Sequence, residues 1–176
     1  MAYVARTFSL VSIDAKMLCH QIGGLRIIGQ GSDTGTGDAQ NRHQTFSQEP
    51  QHLPGIAEGV TTGTLAYMEA NGRPDASGIE AVARRDGGDY VLRGAKSFVL
   101  DGHTAELLVV AARRAESSGE EGISLFVVTS DTPGLERRLL PTMDQTRKQA
   151  ELVLHDVRLP ASALMGEEGQ GWKTLS

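Results

Sequence analysis

The sequence predicts a mostly β fold. We expect an antiparallel barrel or sandwich of short strands behind an irregular or partly helical N-terminal segment. Three observations carry that expectation. From Leu53 onward, short apolar runs recur between clusters of turn-forming residues, the pattern of successive strands. No helical period separates these runs, so the crossover helices of a parallel α/β sheet are not expected. One run, 106–112, is almost wholly apolar, as suits a strand buried on both faces.

Taken in order, residues 1–28 mix apolar and polar positions and suit a short helix followed by "GGLRII". Residues 29–52 hold one large apolar side chain, Phe46, among many turn formers. Such a stretch buries too little surface to offset its ordering entropy and reads as loop. "GTLAYME" (63–69) reads as a strand. "GIEAVARRDGGDYVLRG" (78–94) reads as a hairpin turning at Asp86-Gly87-Gly88. "KSFVL" (96–100) and the run 106–112 flank Asp101-Gly102 and read as a second hairpin. Lys96, Phe98 and Asp101 on its first arm look chosen for something other than packing. "GISLFVV" (122–128), "GLERRLL" (134–140) and "AELVLHDVRLP" (150–160) complete the strands. "GEEGQGWKTLS" reads as a loop entering a helix. The expected divisions are 1–52, a β-domain over 53–165, and a linker over 166–176.

Composition narrows the function. A hydrophobic content of 39% marks a globular chain, and a net charge of −5 with scattered Lys and Arg argues against a nucleic-acid surface. No apolar run is long enough for a membrane span, and the first residues lack the basic-then-apolar pattern of a signal peptide. Cys19 is the only cysteine, which fits a cytoplasmic location and excludes an internal disulfide.

Side-chain motifs for catalysis are sparse. "GLRIIGQGSDTGTG" has neither the glycine spacing nor the following helix of a dinucleotide loop. The histidines (20, 43, 52, 103, 155) lack pairwise ligand spacing, so no metal site is expected. Ser124 lies in a strand without a nucleophile elbow, and Glu120, Glu121, Glu167 and Glu168 lie in polar linkers. The stretch "LAYMEANGRPDASGI" (65–79) ends a strand in a polar turn whose backbone amides suit an anionic or carbonyl-rich ligand.

Six stretches, in order, resemble one family. They are "LPGIAEG", "LAYMEANGRPDASGI", "YVLRGAKSFVLDG", "AELLVVAAR", "GISLFVV" and "AELVLHDVRLPASALMGEEGQGW". From about Leu53 to Trp172 the chain resembles the middle β-domain of the acyl-CoA dehydrogenases. In that family a helical N-terminal domain, this β-domain and a C-terminal four-helix bundle enclose FAD and an acyl-CoA thioester. A glutamate of the bundle takes the α-proton while the β-hydride passes to the flavin.

The resemblance implies that Leu65, Tyr67 and Met68 lie at a flavin-facing strand end. Phe98 takes the aromatic position beside the ring, and Leu100 takes a position where the family places a threonine. Tyr67, Met68, Phe98 and Leu100 are thus the expected cofactor-binding residues. Pro74 is the expected substrate-side residue, at a common serine position. Met68, Pro74 and Leu100 depart from the family by lacking a hydroxyl. The family's catalytic glutamate has no counterpart before Ser176, so no catalytic residue is assigned. Two roles stay open: an FAD-dependent dehydrogenase acting on acyl-CoA, and a non-catalytic subunit in a homo- or hetero-oligomer with a full-length homologue. A coincidental likeness in an unrelated β-barrel binding module is the third alternative.

Overall fold

The computed structural model describes residues 49–143 and 146–176. Expectations for residues 1–48, including Cys19, His20, His43 and Phe46, lie outside the described residues. The first element is a helix, α1 (Glu49–Ala57), which overturns the loop reading for its first four residues. Pro50 falls in the first turn, where a helix needs no amide donor, so the local proline does not forbid it. Gly59 ends the turn with φ 73° while the amides of Val60 and Thr61 return to the Gly55 carbonyl.

Eight strands follow among the described residues. They are β1 (Gly63–Ala66), β2 (Val82–Asp86), β3 (Asp89–Leu100), β4 (Leu107–Arg114), β5 (Ile123–Thr129), β6 (Leu135–Leu139), β7 (Gln149–Pro160) and β8 (Leu164–Met165). The chain closes with α2 (Trp172–Leu175). The strands form one sheet in the order β6-β7-β3-β2-β4-β5-β8, with β1 also on β4.

The mostly β expectation holds, with two differences. The sheet is open, and it is mixed rather than antiparallel throughout, because β1 and β2 both run parallel to β4. Nor do 96–100 and 106–112 form a hairpin. β3 pairs with β2 and β7, whereas β4 pairs with β1, β2 and β5. The turn at Asp101 carries the chain away from β3, and the amides of Glu106 and Leu107 both bond the Thr62 carbonyl beside β1. Nearness in sequence suggested the wrong partner.

β4 explains the core. Leu108, Val110 and Ala112 point to one cluster, with Leu92, Val99, Phe126, Leu152 and Leu154. Val109 and Ala111 point to the other, with Ile79, Ile123 and Leu125. Alternation with both faces apolar is why this strand reads as an unbroken apolar run. Tyr90 of β3 meets Phe126 of β5 edge-on at 5.0 Å, although these strands are not neighbours in the sheet. The sheet is therefore strongly curved, bringing the inner faces of β3 and β5 into contact. The Tyr90 hydroxyl leaves this core to donate to Glu168 at 2.8 Å, and Arg85 bridges both groups. Glu168 thus fastens the C-terminal loop rather than lying free in solvent.

β1 and β2 occupy successive stretches of the same edge of β4. Between Ala66 and Val82 the chain leaves that edge as a loop, and the functional candidates lie at its start.

Candidate functional site

β3 passes this loop with a break in its own regularity. Across the pair with β7, Lys96 faces Leu152 and Val99 faces Ala150, so β3 spends one residue more than its partner. This bulge reverses the alternation beyond it. In a regular strand Phe98 and Leu100 would point inward with Lys96. Instead Val99 enters the core, and Phe98 and Leu100 face out at 43% and 45% exposure. The sequence "FVL" is read in the opposite sense from the one local periodicity gives.

Phe98 itself sits at φ 60°. A bulky side chain in the left-handed region costs about 1–3 kcal/mol and persists only where its surroundings impose it. Phe98→Gly is therefore expected to be about 1 kcal/mol more stable than Phe98→Ala, since only glycine escapes the left-handed penalty. Urea unfolding of the two variants checks this. An alanine variant more stable than the glycine variant, as in an ordinary strand, would contradict it.

The loop start is tied to this bulge. The Ser97 amide donates to the Met68 carbonyl at 2.9 Å, and the Thr64 hydroxyl donates to the Leu100 carbonyl at 2.7 Å. Beneath them lies an ion pair that the sequence reading did not find. Lys96 has no exposed surface and donates to Glu69 Oε1 at 2.6 Å and to the Tyr67 carbonyl at 3.3 Å. The same Glu69 oxygen accepts the amides of Glu80 and Ala81, each at 2.9 Å. Burial pushes the Lys96 ammonium below its usual range, against the opposing pull of Glu69. The signal available in the sequence was a lysine inside a strand that is otherwise inward-facing at that position.

The rest of the loop is held from inside. Asn71 donates to the Gly78 carbonyl, and Asp75 accepts the Ser77 amide and hydroxyl. The Ser77 hydroxyl holds the Asp75 carboxyl below the usual carboxylate range. Arg113 of β4 reaches the Ala76 and Ile79 carbonyls. Gly78 is required there, because a Cβ would lie 2.3 Å from the Arg73 carbonyl oxygen.

The structure ties the Met68 backbone to β3 at Ser97, while Phe98 and Leu100 point outward from β3. Tyr67, half-buried, packs against the second core cluster, and its carbonyl accepts from Lys96. Pro74 sits farther along, on the exposed apex between Arg73 and Asp75, a surface ion pair. No cluster of metal-ligating side chains occurs among the described residues. No helix among them is long and apolar enough to cross a membrane. Ser124 accepts the Gly169 amide and so fastens the C-terminal loop.

Comparison with known proteins places this arrangement. The family model described as "Acyl-CoA dehydrogenase, middle domain" matches residues 64–157. The short-chain specific acyl-CoA dehydrogenase of Megasphaera elsdenii is 35% identical over 132 residues, covering 73% of this chain and 34% of that protein. An acyl-CoA dehydrogenase structure from Geobacillus kaustophilus superposes with TM-score 0.70 at 36% identity, over 74% of this chain and 36% of that one. A glutaryl-CoA dehydrogenase structure from Mycobacterium smegmatis, in complex with FADH2, superposes with TM-score 0.64 at 32% identity. That match covers 74% of this chain and 33% of the other. The chain spans about a third of the length of the relatives it matches. By sequence and by fold alike, this chain belongs to the acyl-CoA dehydrogenase family and carries its middle domain.

Proposed function

We propose that this chain supplies the flavin- and thioester-facing β-domain of an FAD-dependent enzyme that dehydrogenates acyl-CoA across its α,β-bond. The observation that carries the reading is the bulge in β3. It admits Val99 to the core and turns Phe98 and Leu100 outward, next to the segment whose Met68 carbonyl the Ser97 amide holds, at the expense of backbone strain at Phe98. A largely apolar ledge with one aromatic ring suits the face of a flat, polycyclic ring. The relative solved with FADH2 supports this choice of ligand.

FAD, when bound, accepts the hydride; the residues here bind and orient it. Phe98 offers ring contact, Leu100 and Met68 exclude water from the ring edge, and Pro74 lies toward the acyl thioester. Because Met68 and Leu100 offer no hydroxyl, orientation falls to backbone groups of the fastened loop. The domain limits 53–165 belong to this proposal as well.

Titration with FAD, followed by visible absorbance and fluorescence, tests it. A saturable change is expected, in the presence or absence of acyl-CoA. An aromatic ring contact contributes about 0.5–1.5 kcal/mol beyond its area. Phe98→Ala should therefore weaken binding roughly 2- to 12-fold at ~1.4 kcal/mol per decade. No spectral change with either ligand present would sink this reading. Co-purification with a full-length homologue would then favour the subunit role instead.

A further inference from the structure

We propose that Lys96 is a positioning residue, whose buried ammonium fixes the Tyr67–Glu69 segment so that Met68 is held against the bulge that presents Phe98. The inference rests on the flavin-facing reading of that ledge.

Four observations lead to it. Lys96 has no exposed surface, so it cannot itself touch a ligand. Its Nζ bonds both ends of a three-residue segment, the Tyr67 carbonyl and the Glu69 carboxylate. Met68 lies between those two anchors, and its own carbonyl is taken by the Ser97 amide, the residue next to Lys96 in the chain. Finally, Glu69 Oε1 also gathers the Glu80 and Ala81 amides, closing the loop 67–81 on itself. One ammonium thus joins the start of the loop, its end and β3.

Stability alone does not account for such a pair. Replacing a buried ion pair by neutral groups of similar size is often neutral or stabilising. What an apolar replacement does not reproduce is the simultaneous bond to the Tyr67 carbonyl.

The test compares the chain with its Lys96→Met/Glu69→Gln variant. The Glu69→Gln change keeps a side-chain oxygen for the Glu80 and Ala81 amides, and neither charge remains. Three quantities are read: the unfolding midpoint, hydrogen exchange at the Ser97 amide, and the dissociation constant for FAD. We expect a folded variant whose Ser97 amide exchanges at least about tenfold faster, because the local bond opens without global unfolding. Its affinity for FAD should fall by about tenfold. Unchanged exchange and unchanged affinity in a folded variant would overturn the proposal. So would failure of the variant to fold, which would make the pair a purely structural requirement.

The unaltered chain gives an independent readout. Under low denaturant, the amides of Ser97, Glu80 and Ala81 should open together with one denaturant dependence. Separate, easier opening of Ser97 would count against the proposal. If the unaltered chain binds no FAD, the proposed function fails, and the exchange measurements alone decide the role of Lys96.

Discussion

Lys96→Met on its own is expected to lower unfolding free energy by about 3–5 kcal/mol at neutral pH, the cost of leaving one partner of a buried ion pair. Lys96 is 0% and Glu69 8% exposed, so water cannot take the missing partner's place. The Glu80 and Ala81 amides still donate to Glu69, and two such donors offset part of the stranded charge. The loss should therefore fall nearer about 3 than about 5 kcal/mol on that scale. Adding Glu69→Gln removes the stranded charge and should recover most of it. Urea unfolding of both variants checks the pair of statements. A single variant within about 1 kcal/mol of the parent would place the pair among weak, solvated ones.

Gly94→Ala should be comparably severe, for a steric reason. Gly94 has φ 144°, a conformation that side-chain-bearing residues rarely adopt. A Cβ there would lie 2.7 Å from both Cα and Cβ of Ala81, and backbone cannot swing aside. Strain of about 1–3 kcal/mol and overpacking of about 1–3 kcal/mol add to roughly 2–6 kcal/mol. The contact matters beyond stability, since Ala81 is the residue whose amide Glu69 holds. The variant should lose protection at the Ala81 amide as well as global stability. A loss below about 1 kcal/mol would show that β3 and the loop end separate easily. By contrast, Gly87→Ala meets nothing within 4 Å, and its cost should be confined to its φ of 64°.

These expectations differ in how far the sequence foretells them. The β2–β3 hairpin is legible because its determinants are local: two short strand-like runs flanking a glycine turn, observed at Gly87-Gly88. β4 is legible as a strand, since both faces are apolar, but its partners are not. Its parallel neighbours β1 and β2 precede it by a long stretch of chain, and periodicity contains no pairing information. The same limit hid the bulge. Whether Phe98 points in or out depends on register against β7, some fifty residues onward.

At the proposed site, Met68, Phe98 and Leu100 are named by family resemblance, and the fold ties the Met68 backbone to β3 next to Phe98. Tyr67 lies on the same segment, half-buried against the second core cluster. Lys96 was visible as an oddity in its strand. Glu69 was not, because a glutamate at a strand end ordinarily meets solvent. Only the loop's return brings the Glu80 and Ala81 amides to it.

The central claim is that the outer surface at Met68, Phe98 and Leu100 receives a flavin. Mapping amide chemical-shift changes across the chain as FAD is added tests it most directly. The account predicts saturable changes at Met68, Ser97, Phe98 and Leu100, with the Gly87-Gly88 turn at the far end of β3 and the Arg158 ion pairs with Asp86 and Asp89 beside it unaffected. Absence of any change, or changes centred on those distant surfaces, would contradict it.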